Sequence, residues 1–168
     1  MSGYVKKLSI FITAVLSLTA LPYVVYILIA KIWDPEGSPA EKQSAEPSTS
    51  IVLPTYNEER IVENKLSDIV SLDYPMDKIE VVIVDSSEDS TREIIREFFA
   101  DRHEPSLKLL EEDERRGLAP ALNDAYDAAE NDMVVKTDCD SKLAADALKE
   151  AAANLTDPDV GAVTGRNV

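Results

Sequence analysis

The chain has 168 residues, enough for one domain with appendages, and sets 32 Asp and Glu against only 17 Lys and Arg, a net charge of −15. Every acid lies at or beyond Asp34, so the stretch from there on repels nucleic-acid phosphates and argues against a DNA- or RNA-binding role. A single cysteine, Cys139, and a single histidine, His103, exclude an intramolecular disulfide, a multi-cysteine zinc site and a histidine-based triad.

Leu8 to Ala30 is a run of 23 residues without a charge. As a helix it reaches roughly 34 Å, against a hydrocarbon core of about 30 Å. Lys6 and Lys7 flank one end, Lys31 the other, and Tyr23, Tyr26 and Trp33 suit a membrane interface. A signal peptide has a shorter apolar region and a small-residue cleavage site, which Leu18-Thr19-Ala20 does not supply. A buried core helix would show a polar face. Residues 1–33 therefore read as a single-pass membrane anchor, with Pro22 tolerated as a kink. The flanking lysines balance and do not fix its orientation. Residues 34–49, rich in Pro, Ser and Glu, read as a flexible linker.

Beyond the linker, short β-branched runs alternate with helical periods. Ser50–Pro54 predicts a first strand, and Ile61, Val62, Leu66, Ile69 and Val70 predict a helix face. Glu80–Asp85 has no polar alternation, as expected of a strand covered on both faces. Ser90 and Glu93 form a capping-box pattern before a helix lined by Ile94, Ile95, Phe98 and Phe99. Leu107–Leu110 predicts a third strand, Gly117–Glu130 a helix with a small-residue face, and Met133–Thr137 a fourth strand. Leu143, Ala147, Leu148 and Ala151 predict another helix, and Val160–Thr164 a last strand. Such alternation is the pattern of a mostly parallel α/β sheet with flanking helices, whose ligands sit beyond the carboxyl ends of the strands.

Three strands end in polar residues: Thr55-Tyr56-Asn57-Glu58, Asp85-Ser86-Ser87 and Asp138-Cys139-Asp140. The five glycines fit neither GxGxxG nor GxxxxGK[ST], which argues against a dehydrogenase or a P-loop NTPase. What remains is an acidic edge able to hold Mg²⁺ or Mn²⁺, cations that prefer carboxylate oxygens and share substrate phosphates. Asp138 and Asp140, on a tight turn after a buried strand, are the candidate metal ligands. A metal there would also screen a nucleotide diphosphate from the acidic protein.

On these residues the chain resembles the family 2 glycosyltransferases. SIVLPTYNEE at Ser50–Glu59 is similar to their opening strand and turn, and Leu72-Asp73-Tyr74-Pro75 with EVVIVDSSEDST to their second-strand region. Arg116-Gly117 with Ala119 and Ala121-Leu122-Asn123 resembles the approach to their third helix. VVKTDCDS at Val134–Ser141 resembles their metal-binding strand end, and VGAVTGR at Val160–Arg166 the strand beyond it. The resemblance implies a GT-A-type fold over residues 50–168, as its N-terminal half, incomplete at the C-terminus. It implies a metal-dependent, inverting transfer of a sugar from a nucleotide-diphosphate-sugar, a UDP-sugar first of all, to a glycan or lipid acceptor.

Carried over residue by residue, it places Pro54, Thr55, Tyr56 and Glu58 around base and ribose, and Asp85 as an acceptor from the base. Asp138 would lie by the donor ribose or sugar, Asp140 would be the main metal ligand, and Arg116 would approach the diphosphate. Cys139 is expected to point away from the metal and pack as a small hydrophobe. Ser86 replaces a usual glycine, and Leu118 stands at a position often held by lysine. The family's acidic base and QxxRW segment have no counterpart here, so no catalytic residue is assigned and a partner chain carrying the rest of the domain is one expectation. A non-catalytic nucleotide-sugar-binding or partner-recruiting membrane module is the alternative. The soluble part is expected on the cytoplasmic side, and its dispersed acids read as the solvated surface of a protein working in high salt.

Overall fold

The computed structural model describes residues 2–33 and 41–165, in two units that divide at residue 40. The first is one helix, α1 (Ser2–Trp33), unbroken through Pro22. Its stretch Gly3–Ile29 is long and apolar enough to cross a membrane, with a mean hydropathy of 2.1. Thr19, the polar residue near its middle, donates its hydroxyl to the carbonyl of Val15 at 3.0 Å, so the group is satisfied within the helix.

The second unit is built on four strands, β1 (Thr49–Thr55), β2 (Ile79–Asp85), β3 (Ser106–Glu111) and β4 (Met133–Lys136). They lie in the order β3-β2-β1-β4, and every pairing is parallel. The register aligns Thr55, Asp85 and Glu111 in one row at the carboxyl edge. From β1 the chain steps outward to β2 and β3, then returns past β1 to β4. That reversal makes the gap between the carboxyl ends of β1 and β4 the topological switch point, where open α/β sheets hold their ligands.

Residue alternation decides which helix lies on which face. Ile51, Leu53, Val81 and Ile83 point to one side, where Val62, Leu66 and Ile69 of α2 (Val62–Val70), Ile95 and Phe99 of α3 (Thr91–Phe99), and Leu148 and Ala152 of α5 (Ala147–Leu155) complete the larger core. Val52, Val82 and Val84 point to the other, which α4 (Leu118–Ala128) covers through Ala121 and Ala125. The small residues of α4 are what let its backbone lie close to the strands. β1 and β2 are buried along nearly their whole length, as expected of strands covered on both faces.

Three local readings are corrected. Ser90 precedes α3 without a side-chain cap bond; Asp89 accepts from the Thr91 amide at 3.0 Å and from its hydroxyl instead. Leu143 lies before α5, because its amide is drawn to the Asp68 carboxylate at 3.0 Å. Val160–Thr164 forms no strand; a lone extended segment gains no ladder hydrogen bonds, and these residues are mostly exposed. Of the expected linker, residues 34–40 lie outside the described residues, as does Arg166. Residues 41–48 run along the domain. The amide of Gln43 donates to Thr156 Oγ1 at 3.1 Å, Tyr74 donates its hydroxyl to the Pro47 carbonyl at 2.5 Å, and Lys78 donates to the Glu46 carbonyl at 2.8 Å.

At the amino edge of the sheet a polar knot ties three elements. Glu80 accepts from Ser50 Oγ at 2.6 Å and from the Glu130 amide at 3.1 Å, and lies 3.2 Å from Lys108 Nζ. Burial alone would raise this carboxyl, but those donors outweigh it and hold the pKa below the ordinary value. A depressed carboxyl stabilises the fold above its unfolded pKa, and that contribution is lost as pH falls through the folded one. Glu80→Gln should cost about 1–3 kcal/mol at neutral pH. The gap between wild type and variant should narrow as pH falls below the ordinary carboxylate value and through the lowered folded one, which urea unfolding at pH 7 and at successive steps below pH 4 follows directly.

Candidate active site at the carboxyl edge

The ends of β1 and β2 are joined by one buried anion. Asp85, with no exposed surface, accepts from Thr55 Oγ1 at 2.7 Å, Ser87 Oγ at 2.6 Å, the Ser87 amide at 3.3 Å and Arg92 Nε at 2.9 Å. Four donors fill the acceptor positions of a carboxylate. Arg92 also reaches the Asp85 carbonyl at 3.3 Å and Glu111 at 3.4 Å, so β2, β3 and α3 are clamped at one point.

Above it the two loops close on each other. The Asn57 amide donates to Ser87 Oγ at 2.8 Å, the Glu88 amide returns to Asn57 Oδ1 at 2.9 Å, and the Glu58 amide meets Thr91 Oγ1 at 2.8 Å. Asn57 has φ 57°, a left-handed conformation that Asn tolerates better than most side chains. This turn lifts Tyr56 and Glu58 to the rim. The Glu58 carbonyl then accepts the amides of Ile61 and Val62, both at 2.9 Å, and α2 begins.

Glu58 is half-buried and looks toward the end of β4. Its pKa is raised, first by burial and then by the charges of Asp140, Asp89 and Asp138. The β1 and β4 ends thus share one electrostatic neighbourhood. Asp138 pairs with Lys136, while Asp140 is exposed and, among the described residues, accepts no hydrogen bond. Cys139 is half-buried against the core, and burial foremost pushes its thiol up to about 12, so it stays a protonated, packing side chain. Among the described residues no three His, Cys, Asp or Glu side chains stand together as a ready metal cage. A depression of about 600 Å³ lies between α2 and residues 139–142, sharing only Asp140 with the sequence-derived set.

A family model described as "Glycosyl transferase family 2" matches residues 50–168. The chain belongs to the family 2 glycosyl transferases. It is 35% identical over 130 residues to the poly-beta-1,6-N-acetyl-D-glucosamine synthase of Staphylococcus epidermidis, covering 75% of this chain and 30% of that protein. Among solved structures it is similar to the mannosyltransferase PcManGT of Pyrobaculum calidifontis in complex with GDP-Man and Mn²⁺. There the identity is 40%, the TM-score 0.71, and coverage 86% of this chain and 44% of that one. It is also similar to S. aureus TarS 1-349 in complex with UDP-GlcNAc, at 30% identity and a TM-score of 0.58, covering 63% and 30%. The fold is GT-A, and the chain spans well under half the length of the relatives it matches.

In this family 2 chain the sequence-derived residues divide by availability. Tyr56, Glu58, Asp138 and Asp140 face the switch point's rim. Pro54 is half-buried within β1, Thr55 is buried with its hydroxyl spent on Asp85, and Asp85 offers no free acceptor for a base. Arg116 is held by Glu112, whose Oε1 accepts from Nε at 2.8 Å, and by Asp124. Those two carboxylates raise its pKa, and the guanidinium stays committed to them. Arg115 was not singled out by sequence, yet its guanidinium carbon lies 4.0 Å over the Tyr56 ring, a cation–π contact at the mouth of the site. No local pattern carries that pairing, because the two residues are brought together only by the sheet.

Asp85 is thus a structural keystone before it is anything else. Asp85→Ala should destabilise the domain by about 1–3 kcal/mol, since the buried Thr55 hydroxyl and Ser87 lose their acceptor while Arg92 keeps Glu111 as an ion-pair partner. Chemical denaturation of the full chain in detergent checks this. Unchanged stability would show that the four-donor arrangement is not maintained in solution.

Proposed function

We propose that this chain supplies the donor-binding part of a metal-dependent, inverting glycosyltransferase, taking a sugar from a nucleotide diphosphate, a UDP-sugar first, to a glycan or lipid acceptor. The observation that carries the reading is the meeting, at the switch point, of the Tyr56–Glu58 turn with Asp138 and Asp140. Glu58 is close enough to both aspartates for their charges to raise its pKa. Like charges along one rim repel, and a divalent cation would relieve that repulsion while offering open positions to phosphate oxygens.

Asp140, exposed and uncommitted among the described residues, is the principal ligand in this reading, and Asp138 the second once it exchanges Lys136 for the metal. When bound, Mg²⁺ or Mn²⁺ would act as a Lewis acid on the leaving diphosphate. Tyr56, with Arg115 stacked on it, offers a flat, cationic platform beside which base and ribose lie. Relatives named for GDP-Man with Mn²⁺ and for UDP-GlcNAc support a nucleotide-sugar donor and a metal. Transfer itself needs a base to take the acceptor's proton, and none of the residues above is assigned that role.

Calorimetry on the full chain in detergent should show UDP binding that depends on Mn²⁺ or Mg²⁺. Asp140→Ala should remove that dependence. Equal, metal-independent UDP affinity in wild type and Asp140→Ala would sink the metal assignment, and preference for GDP would move the donor class.

The anchor and its side of the membrane follow from the same donor. Nucleotide-sugars are made in the cytoplasm and do not cross bilayers unaided, so α1 spans the membrane with the catalytic unit on the cytoplasmic side. The short N-terminus then lies outside. A Ser2→Cys chain in intact cells should react with an impermeant thiol reagent, whereas protection at that site would place the domain on the other face or the helix on the surface.

A further inference from the structure

Lys65 is the one Lys or Arg that is buried among the described residues, and its side chain has no exposed surface. Burying a cation is costly, and an apolar side chain of similar volume would usually be no worse for stability. The position therefore asks for another reason, and the partners of Lys65 supply one. Its Nζ donates to the Ser141 carbonyl at 2.9 Å and lies 3.8 Å from Asp68 Oδ2. The same Asp68 oxygen accepts the Leu143 amide at 3.0 Å. Two residues one turn apart on α2 thus grip the chain on both sides of Lys142.

That grip reaches Asp138 and Asp140 through a short turn. Ser141 Oγ donates to the Asp138 carbonyl at 2.8 Å, and the Ser141 amide reaches the same carbonyl at 3.3 Å. Thr137 Oγ1 and Ser141 Oγ lie 3.0 Å apart. Asp140 is enclosed in this turn, so fixing Ser141 fixes the backbone that carries it.

We propose that Lys65, with Asp68, is a positioning residue that holds the 138–141 turn on α2 in the form that receives the metal. The inference rests on the reading of Asp138 and Asp140 as metal ligands. Burial foremost lowers the Lys65 pKa, and the carboxylates of Asp68 and Asp138 oppose that shift.

The test uses the full chain in detergent, with Mn²⁺ uptake followed by electron paramagnetic resonance in the presence of UDP, and UDP affinity measured separately in EDTA. Lys65→Met should weaken Mn²⁺ binding about tenfold or more, in the range usual for groups that orient metal ligands, and alter the bound-Mn²⁺ spectrum. UDP affinity in EDTA should stay unchanged. Asp68→Asn, which keeps the shape and an acceptor for Leu143, should give a smaller loss in the same direction. Wild-type Mn²⁺ affinity in Lys65→Met, or parallel loss of metal-dependent and metal-free UDP binding, overturns the proposal. Should Lys65→Met fail to fold by circular dichroism, Asp68→Asn decides: a wild-type spectrum and affinity there overturn it. Failure of the wild type to take up Mn²⁺ removes the ligand reading itself, whereas normal uptake with indifferent variants removes only the role of Lys65.

Discussion

The carboxyl edge of this sheet depends on a charge that water cannot reach. Asp85 ends the central strand β2 with no exposed surface, and a buried carboxylate is tolerable only when its acceptors are filled. Filling them requires Thr55 from β1, Ser87 from the following loop and Arg92 from α3 to arrive together. Each is then unable to move without exposing an uncompensated charge. The Asp85 carbonyl extends the arrangement by accepting the Glu112 amide at 2.8 Å, which fixes the exit of β3. One anion therefore sets the relative positions of three strand ends, and the loops above inherit that rigidity.

What the rigid edge presents is a mismatch of charge. The chain is strongly acidic, the ligand class proposed for it is anionic, and the rim between β1 and β4 collects further carboxylates. Nearby cations are mostly spoken for: Arg92 belongs to Asp85, Arg116 to Glu112 and Asp124, Lys136 to Asp138. Arg115, lying over Tyr56, is the cation at the rim whose observed partner is a neutral ring. In the proposed site a divalent cation would stand between a diphosphate and the rim carboxylates Glu58, Asp138 and Asp140. The acidity that speaks against nucleic acid is thus the same property that makes a metal-assisted nucleotide site coherent.

Much of this was legible because burial on two faces leaves a strong mark. The unbroken run Val81–Val84 could only be an inner strand, and the spacing of Val62, Leu66 and Ile69 could only be a helix against it. The carboxyl edge followed from the polar strand ends, whereas the reversal between β1 and β4 needed the strand order. What sequence could not supply was which polar groups are spent on one another. No spacing in the sequence shows that the Thr55 hydroxyl bonds to Asp85, or that Glu112 and Asp124 stand beside Arg116. Lys65 had a signal that was easy to pass over: it falls between Val62 and Ile69 on the buried face of α2, at the spacing of core residues. Val160–Thr164 shows the converse, a β-branched pattern that forms no strand where no partner strand lies beside it.

A parallel sheet also separates duties along its axis. Every strand begins at one pole and ends at the other, so the chain enters β1 from residues 41–48 at the pole farthest from Asp140. There the Ser50–Glu80–Lys108 knot and the Tyr74 and Lys78 contacts with the strap fix the starts of the strands. These groups can be as tightly bound as stability demands, since no ligand has to pass them. In the proposed metal site the finishing pole works under the opposite constraint: Asp140 would stay uncommitted to meet a cation, and Asp138 would release Lys136 to join it. Freedom at those two side chains is compatible with precise placement only if their backbone is held from behind. The Lys65–Asp68 pair on α2 is placed to do that, gripping Ser141 and Leu143 while making no bond to either aspartate of the turn.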